Sequence, residues 1–208
     1  KTLCSADTMS RIEVKNLAAW VGGFMRARKL EHRIVYDRKQ DGALQAWQSA
    51  LATKDATLDV PDSFYSDELE QVVLAQGLTT LDQYRTARRI GRGVILSRAK
   101  RDAVWPVFEE YRGQLASRKL KEVDDAYREI AEMIATEQGP ELGYAAIVID
   151  ETQDFGPQAL KLLRAMIAHG PNDLFFVGDG HQRIYSRNRA AMSRCGIDIR
   201  GRSRKLYL

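Results

Sequence analysis

Residues 144–154, YAAIVIDETQD, constrain the fold more than any other stretch. Residues 145–149 form a continuous apolar run rich in β-branched side chains, the pattern of a strand buried on both faces of a parallel sheet. The run ends abruptly in Asp150-Glu151. In open parallel sheets, ligands bind beyond the carboxyl ends of the strands, so this acidic edge is where a metal–nucleotide site is expected. Pro157, a short loop later, suits the first turn of a helix, where its missing N–H costs nothing.

A second apolar run, residues 173–177 (DLFFV), ends in Gly178-Asp179 and is followed by Gln182 and Tyr185. Between the runs, residues 158–169 carry Leu160, Leu163, Met166 and Ile167 at helical spacing, and Gly170-Pro171 stop the helix. Strand, helix and strand make a βαβ unit. Its right-handed crossover puts both acidic ends on one edge of the sheet.

The chain has 208 residues, enough for one large domain or two small ones. At 44% apolar and 29% charged residues it has the composition of a soluble globular protein. No apolar run approaches the roughly 20 residues that span a bilayer, and the first residues lack the pattern of a signal peptide. Cys4 and Cys195 lie far apart without a CxxC partner, which points to a reducing cytoplasm and away from a zinc site or a disulfide framework. The net charge of +4 is unevenly spread. From residue 181 onward Arg183, Arg187, Arg189, Arg194, Arg200, Arg202, Arg204 and Lys205 face one acid, Asp198. A phosphate-binding segment and a solvated basic surface both fit that pattern.

Residues 11–14 read as a short strand of the same sheet, and Asn16 as the cap of a helix with Leu17, Trp20, Val21, Phe24 and Met25 on one face. Residues 31–143 read as an almost wholly helical insertion. Helices are expected over 43–51, 66–75, 81–90, 98–118 and 122–137, with Pro106 starting or kinking the fourth. Its aromatics, among them Trp105, Phe108 and Tyr111, are expected in the core rather than on a base-stacking platform. Residues 197–200 and 205–208 are further candidate strands, and the abrupt apolar end reads as a truncation.

Asp150-Glu151-Thr152-Gln153-Asp154 and Val177-Gly178-Asp179-Gly180-His181-Gln182-Arg183-Ile184-Tyr185 resemble the second (DExxQD) and third (GDxxQxIY) motifs of the UvrD/Rep family of superfamily I helicases. The two lie about two dozen residues apart, each at a predicted strand end. Residues 88–105, RRIGRGVILSRAKRDAVW, are similar to the helical subdomain inserted in the first RecA-like domain of these enzymes, and residues 201–206 look like the lead-in to their fourth motif. Ala18 stands where the family usually has a DNA-contacting His. No GxxxxGK[ST] phosphate loop occurs.

The resemblance implies an α/β fold: a partial RecA-like parallel sheet of the P-loop NTPase type with a large all-helical inserted subdomain. Residues 1–30 and 144–208 would belong to the first RecA-like domain and 31–143 to the insertion. It implies an internal slice of a longer ATP-dependent DNA helicase that moves 3'–5' on single-stranded DNA and opens duplex junctions, with DNA repair among its settings. ATP and Mg²⁺ would be the cofactors. By resemblance Asp150 holds Mg²⁺, Glu151 orients and deprotonates the attacking water, and Gln182 reaches the γ-phosphate. Gln153, Asp154 and Asp179 would couple the nucleotide and DNA sites. Tyr185 would stack on a base and Arg183 would contact phosphate. Without a phosphate loop or second motor domain, this chain alone is expected to be inactive. The rival reading is a non-catalytic nucleic-acid or partner-binding module whose acids are structural. A third reading is the motor half of a helicase–nuclease fusion.

Overall fold

The computed structural model describes residues 5–39, 42–136, 142–178 and 192–198. The chain divides into two units, residues 1–32 and residues 33–208.

In the smaller unit, Ser5 caps α1 (Ala6–Ser10) by accepting a hydrogen bond from the Thr8 amide at 3.1 Å. The strand expected over 11–14 does not form. Ile12 and Val14 are exposed, and no strand pairs with them among the described residues. Asn16 caps α2 (Leu17–Ala27) as expected, its Oδ1 accepting from the Ala18 amide at 2.8 Å, and Val21 and Met25 are buried.

The larger unit begins with β1 (Arg33–Val35), which pairs in parallel with β2 (Leu120–Glu122), Arg33 opposite Leu120. The segment expected to be almost wholly helical therefore contains two strands. Between them run α3 (Ala43–Leu51), α4 (Asp62–Glu68) continuing into a π-helical turn (Leu69–Leu74), α5 (Leu81–Thr86) and α6 (Arg98–Ser117). The α4 helix starts four residues earlier than its acidic turn suggested. The α5 helix stops four residues short of the expected 90, because residues 87–97 leave helical geometry. Pro106 lies inside α6, where it forgoes one backbone bond without ending the helix.

The aromatics are core, as composition suggested. Trp105, Phe108, Tyr84 and Tyr111 are buried, with Tyr84 stacked on Trp105 at 5.5 Å between centroids and Trp47 edge-on to Tyr111 at 5.1 Å. Each fully buried side chain of this size contributes about 1.5–3 kcal/mol of apolar transfer. Two buried carboxylates are built into this core. Glu122 accepts from Arg38 Nε at 2.5 Å and from the Tyr111 hydroxyl at 2.7 Å. Glu68, with no exposed surface, accepts from Arg89 at 2.6 and 2.8 Å, from Arg92 at 3.2 Å and from the Tyr84 hydroxyl at 2.9 Å. Burial, then the neighbouring carboxylate, pushes both tyrosine hydroxyls well above their ordinary range.

Helix α7 (Val123–Thr136) packs against α8 (Pro157–Ala165), which connects β3 (Ile147–Ile149) to β4 (Leu174–Phe176). β3 and β4 are parallel, Ile147 opposite Leu174, as the βαβ reading required. The expectation of burial on both faces is corrected. Ile149 is buried, but Val148 and Phe175 on the alternate face are 68% and 62% exposed, since no further layer covers that face among the described residues. Residues 192–195 form a 3₁₀ turn, and residues 197–198 carry no strand. The strand expected at 205–208 lies outside the described residues. The architecture is thus a mixed helix–strand one with two small parallel sheets.

Candidate functional site

The β3–β4 ladder positions the acids. Beyond the paired residues, Ile147 N donates to Asp173 O and Val177 N to Ile149 O, each at 2.8 Å. Thr152 then closes the edge. Its amide donates to Val177 O at 3.0 Å and its hydroxyl donates to the same oxygen at 2.7 Å. Asp150 and Glu151 sit between these anchors, exposed at the carboxyl end of β3.

Glu151 adopts left-handed backbone geometry, φ 50° and ψ 41°. For a residue with a β-carbon this costs about 1–2 kcal/mol, and such strain persists where the surroundings over-determine it. Here they do. Asp150 Oδ1 accepts from the Glu151 amide at 2.8 Å, Asp154 N donates to Glu151 O at 2.9 Å, and buried Gln153 donates Nε2 to Glu151 Oε2 at 2.5 Å. Thr152–Asp154 form a 3₁₀ turn, and Asp154 is exposed.

Gly178 follows β4 and lies against this turn. A β-carbon there would stand 2.5 Å from Gln153 Oε1 and 2.9 Å from the Thr152 nitrogen. The strand ends carrying the two sequence motifs are therefore in direct contact at Gly178. Asp179, Gln182, Arg183 and Tyr185 lie outside the described residues.

Two further residues hold the unit in place, and sequence reasoning did not single them out. Gln158, in the first turn of α8, is fully buried and donates Nε2 to the carbonyls of Leu74 and Ala75 at 3.2 and 2.9 Å, tying α8 to the end of the π-helical turn. Arg164 near the end of α8 donates to Asp173 Oδ2 at 2.7 Å. The Asp173 carboxylate also accepts from the amides of Gly170 and Leu174 and falls to a pKa of about 2, chiefly through the Arg164 hydrogen bond. Cys195 is a buried free thiol that contacts Pro157 O at 3.6 Å, and burial raises its pKa.

Asp150 and Glu151 offer hard carboxylate oxygens at an exposed edge, a donor set suited to Mg²⁺, which keeps several waters and takes few protein ligands. Among the described residues no group of three or more His, Cys, Asp and Glu is placed to hold a metal. No helix among the described residues is long and apolar enough to cross a membrane.

A model of the UvrD/REP helicase N-terminal domain matches residues 14–195. The chain belongs to this family. No curated protein matches the chain. As a UvrD/REP helicase N-terminal domain the chain carries the assignment of a helicase family, whose members bind ATP and DNA. The matched span takes in α2, the helical region, the β3–α8–β4 unit and the Asp150–Asp154 turn.

Proposed function

We propose that this UvrD/REP helicase N-terminal domain is the nucleotide-hydrolysing part of an ATP-dependent motor that moves 3'–5' on single-stranded DNA and opens duplex junctions. The β3–α8–β4 unit is read as part of a RecA-like sheet, and residues 31–143 as its helical insertion. The observation that carries the reading is the strained, exposed Glu151 beside Asp150 at the end of a parallel strand, with Gly178 packed against the same turn.

In this reading Asp150 is the carboxylate for Mg²⁺. The ion, when bound with ATP, supplies positive charge at the β- and γ-phosphates. Glu151 accepts the proton of the attacking water. Gln153 holds that carboxylate by one oxygen and leaves the other for water. Gln182 is assigned to the γ-phosphate. Asp154 and Asp179 are assigned to the link between nucleotide and strand, and Arg183 and Tyr185 to the DNA.

The test is ATPase activity of the full-length protein carrying this chain, with and without single-stranded DNA. Wild type is expected to be strongly DNA-stimulated, and Glu151→Gln to lose at least about a hundredfold in kcat while still binding nucleotide. Retained turnover in Glu151→Gln sinks the assignment. The 208-residue chain alone, which has no GxxxxGK[ST] loop, is expected to turn over no ATP.

A further inference from the structure

Between Gln83 and Arg101 the sequence has seven basic residues and no acidic one. The structure divides these into two sets. Arg85 is bidentate to Asp102 at 2.7 and 2.9 Å, and Arg101 donates to the carbonyls of Tyr84, Arg85 and Ala87 at 2.6, 3.1 and 3.0 Å, closing the end of α5. Arg89 and Arg92 reach the buried Glu68 and lie over the Phe64 ring, each 5.9 Å from its centroid. Arg85 thus ties α5 to α6, while Arg101, Arg89 and Arg92 anchor the loop that follows α5. Arg88, Arg98 and Lys100 point the other way in function. They are exposed and make no side-chain hydrogen bond or ion pair among the described residues.

The same loop displays apolar tips. Ile90 is 77% and Ile95 88% exposed, while Leu96 is buried and Gln76 holds Arg88 O at 2.8 Å. Arg89 also donates to Val94 O, so the turn is drawn closed between Ile90 and Ile95. Leu96 and Arg98 line a hollow with Asp82, Arg85, Thr86 and Arg101, which continues the relief of this surface. A buried Arg–Glu–Arg arrangement carries a desolvation cost of several kcal/mol per ion. Here it serves a loop whose outer face gains nothing from the fold. Preordering of exposed aliphatic tips among cations is what a binding surface requires.

We infer that the loop of residues 88–100 is a contact surface for single-stranded DNA, with Arg88, Arg98 and Lys100 on phosphates and Ile90 and Ile95 against base faces. The inference rests on the DNA-motor reading above. A single strand is the partner that fits, because a duplex presents its base faces only at its ends, whereas an unpaired strand offers them along its length beside each phosphate. Exposed Arg88, Arg98 and Lys100 supply the charge complementarity, while the flanking Asp82 and Asp102 are both held by Arg85.

The experiment is fluorescence anisotropy of a labelled oligo-dT on this chain across a salt series, with blunt duplex as competitor. Arg88→Gln/Arg98→Gln/Lys100→Gln is expected to reduce the slope of log K against log salt by about 2, at about 0.7 per phosphate contact. Ile90→Ser/Ile95→Ser is expected to weaken binding about tenfold with the slope unchanged. Both sets change exposed side chains, so circular dichroism melts should match wild type. Wild-type affinity and slope in both variants overturn the proposal and place the DNA elsewhere on the chain, leaving the motor reading intact. Stronger competition by blunt duplex than by oligo-dT also overturns it, making the surface a duplex contact. No oligo-dT binding by the unmodified chain overturns it too, and DNA-stimulated ATPase in the full-length protein then decides whether the motor reading falls with it.

Discussion

Replacing Gly178 by alanine places a methyl group 2.5 Å from Gln153 Oε1, 2.9 Å from the Thr152 nitrogen and 3.2 Å from Thr152 Cβ. Rotation of the Gln153 side chain relieves the first contact. The second is to backbone, so the end of β4 and the Asp150–Asp154 turn must separate by about 0.5 Å or more to reach ordinary contact distance. That motion breaks the latch in which the Thr152 amide and hydroxyl share Val177 O at 3.0 and 2.7 Å. Two such hydrogen bonds are worth about 1–3 kcal/mol net, which for a chain of this size lowers Tm by about 3–9 °C. Glu151 precedes Thr152 directly, so the ATPase of the full-length protein should fall by about tenfold or more from misplacement of the carboxylate. The assays are circular dichroism melts of the chain and DNA-stimulated ATPase of the full-length protein. Gly170→Ala is the control, because an added methyl there meets nothing within 4 Å and both readouts should stay put. Wild-type melting and turnover in Gly178→Ala would refute the reasoning.

Glu68→Ala leaves Arg89 and Arg92 without their buried carboxylate and Tyr84 without its acceptor. It should cost about 3–5 kcal/mol, read as a Tm loss of about 10 °C. Asp173 is the group expected to govern the acid limb of stability. Its folded pKa of about 2 lies below its unfolded value, so its contribution is complete above about pH 4 and fades as pH falls towards 2. A Tm series from pH 5 to pH 2 should show Asp173→Asn declining less steeply than wild type, and parallel curves would reject the Arg164–Asp173 clip as its cause.

Helices with long apolar stripes were legible. Residues 43–51 form α3 with the bounds the periodicity predicts, α6 ends one residue earlier than expected, and α7 differs from expectation by one residue at each end. The strands β1 and β2 were not legible. Arg33–Val35 and Leu120–Glu122 are three residues each and mix polar with apolar, too short for a period-two signal, and they meet only in the tertiary fold, with α6 packed on β2 and α7 on both strands. At the site, the acids Asp150 and Glu151 could be read from the way an apolar run stops. The left-handed Glu151 could not, because nothing in its side chain demands that geometry; the Thr152 latch and the Asp154 amide impose it. Gln158 was equally silent. Its partners Leu74 and Ala75 stand far away in sequence, and a glutamine in the first turn of a helix is ordinarily a solvated residue.

The parallel pairing of Arg33 with Leu120 also sets an order of events. Closing so long a span before anything inside it has formed costs chain entropy that three ladder residues cannot repay. The α3–α6 core must condense first and carry the two segments into register. The β1–β2 pairing is therefore a late folding event, and its amides should gain protection from hydrogen exchange after those of α6. Until then Glu122, buried in the native chain beside Arg38 and Tyr111, stays hydrated, and its desolvation is deferred to the step that closes the span.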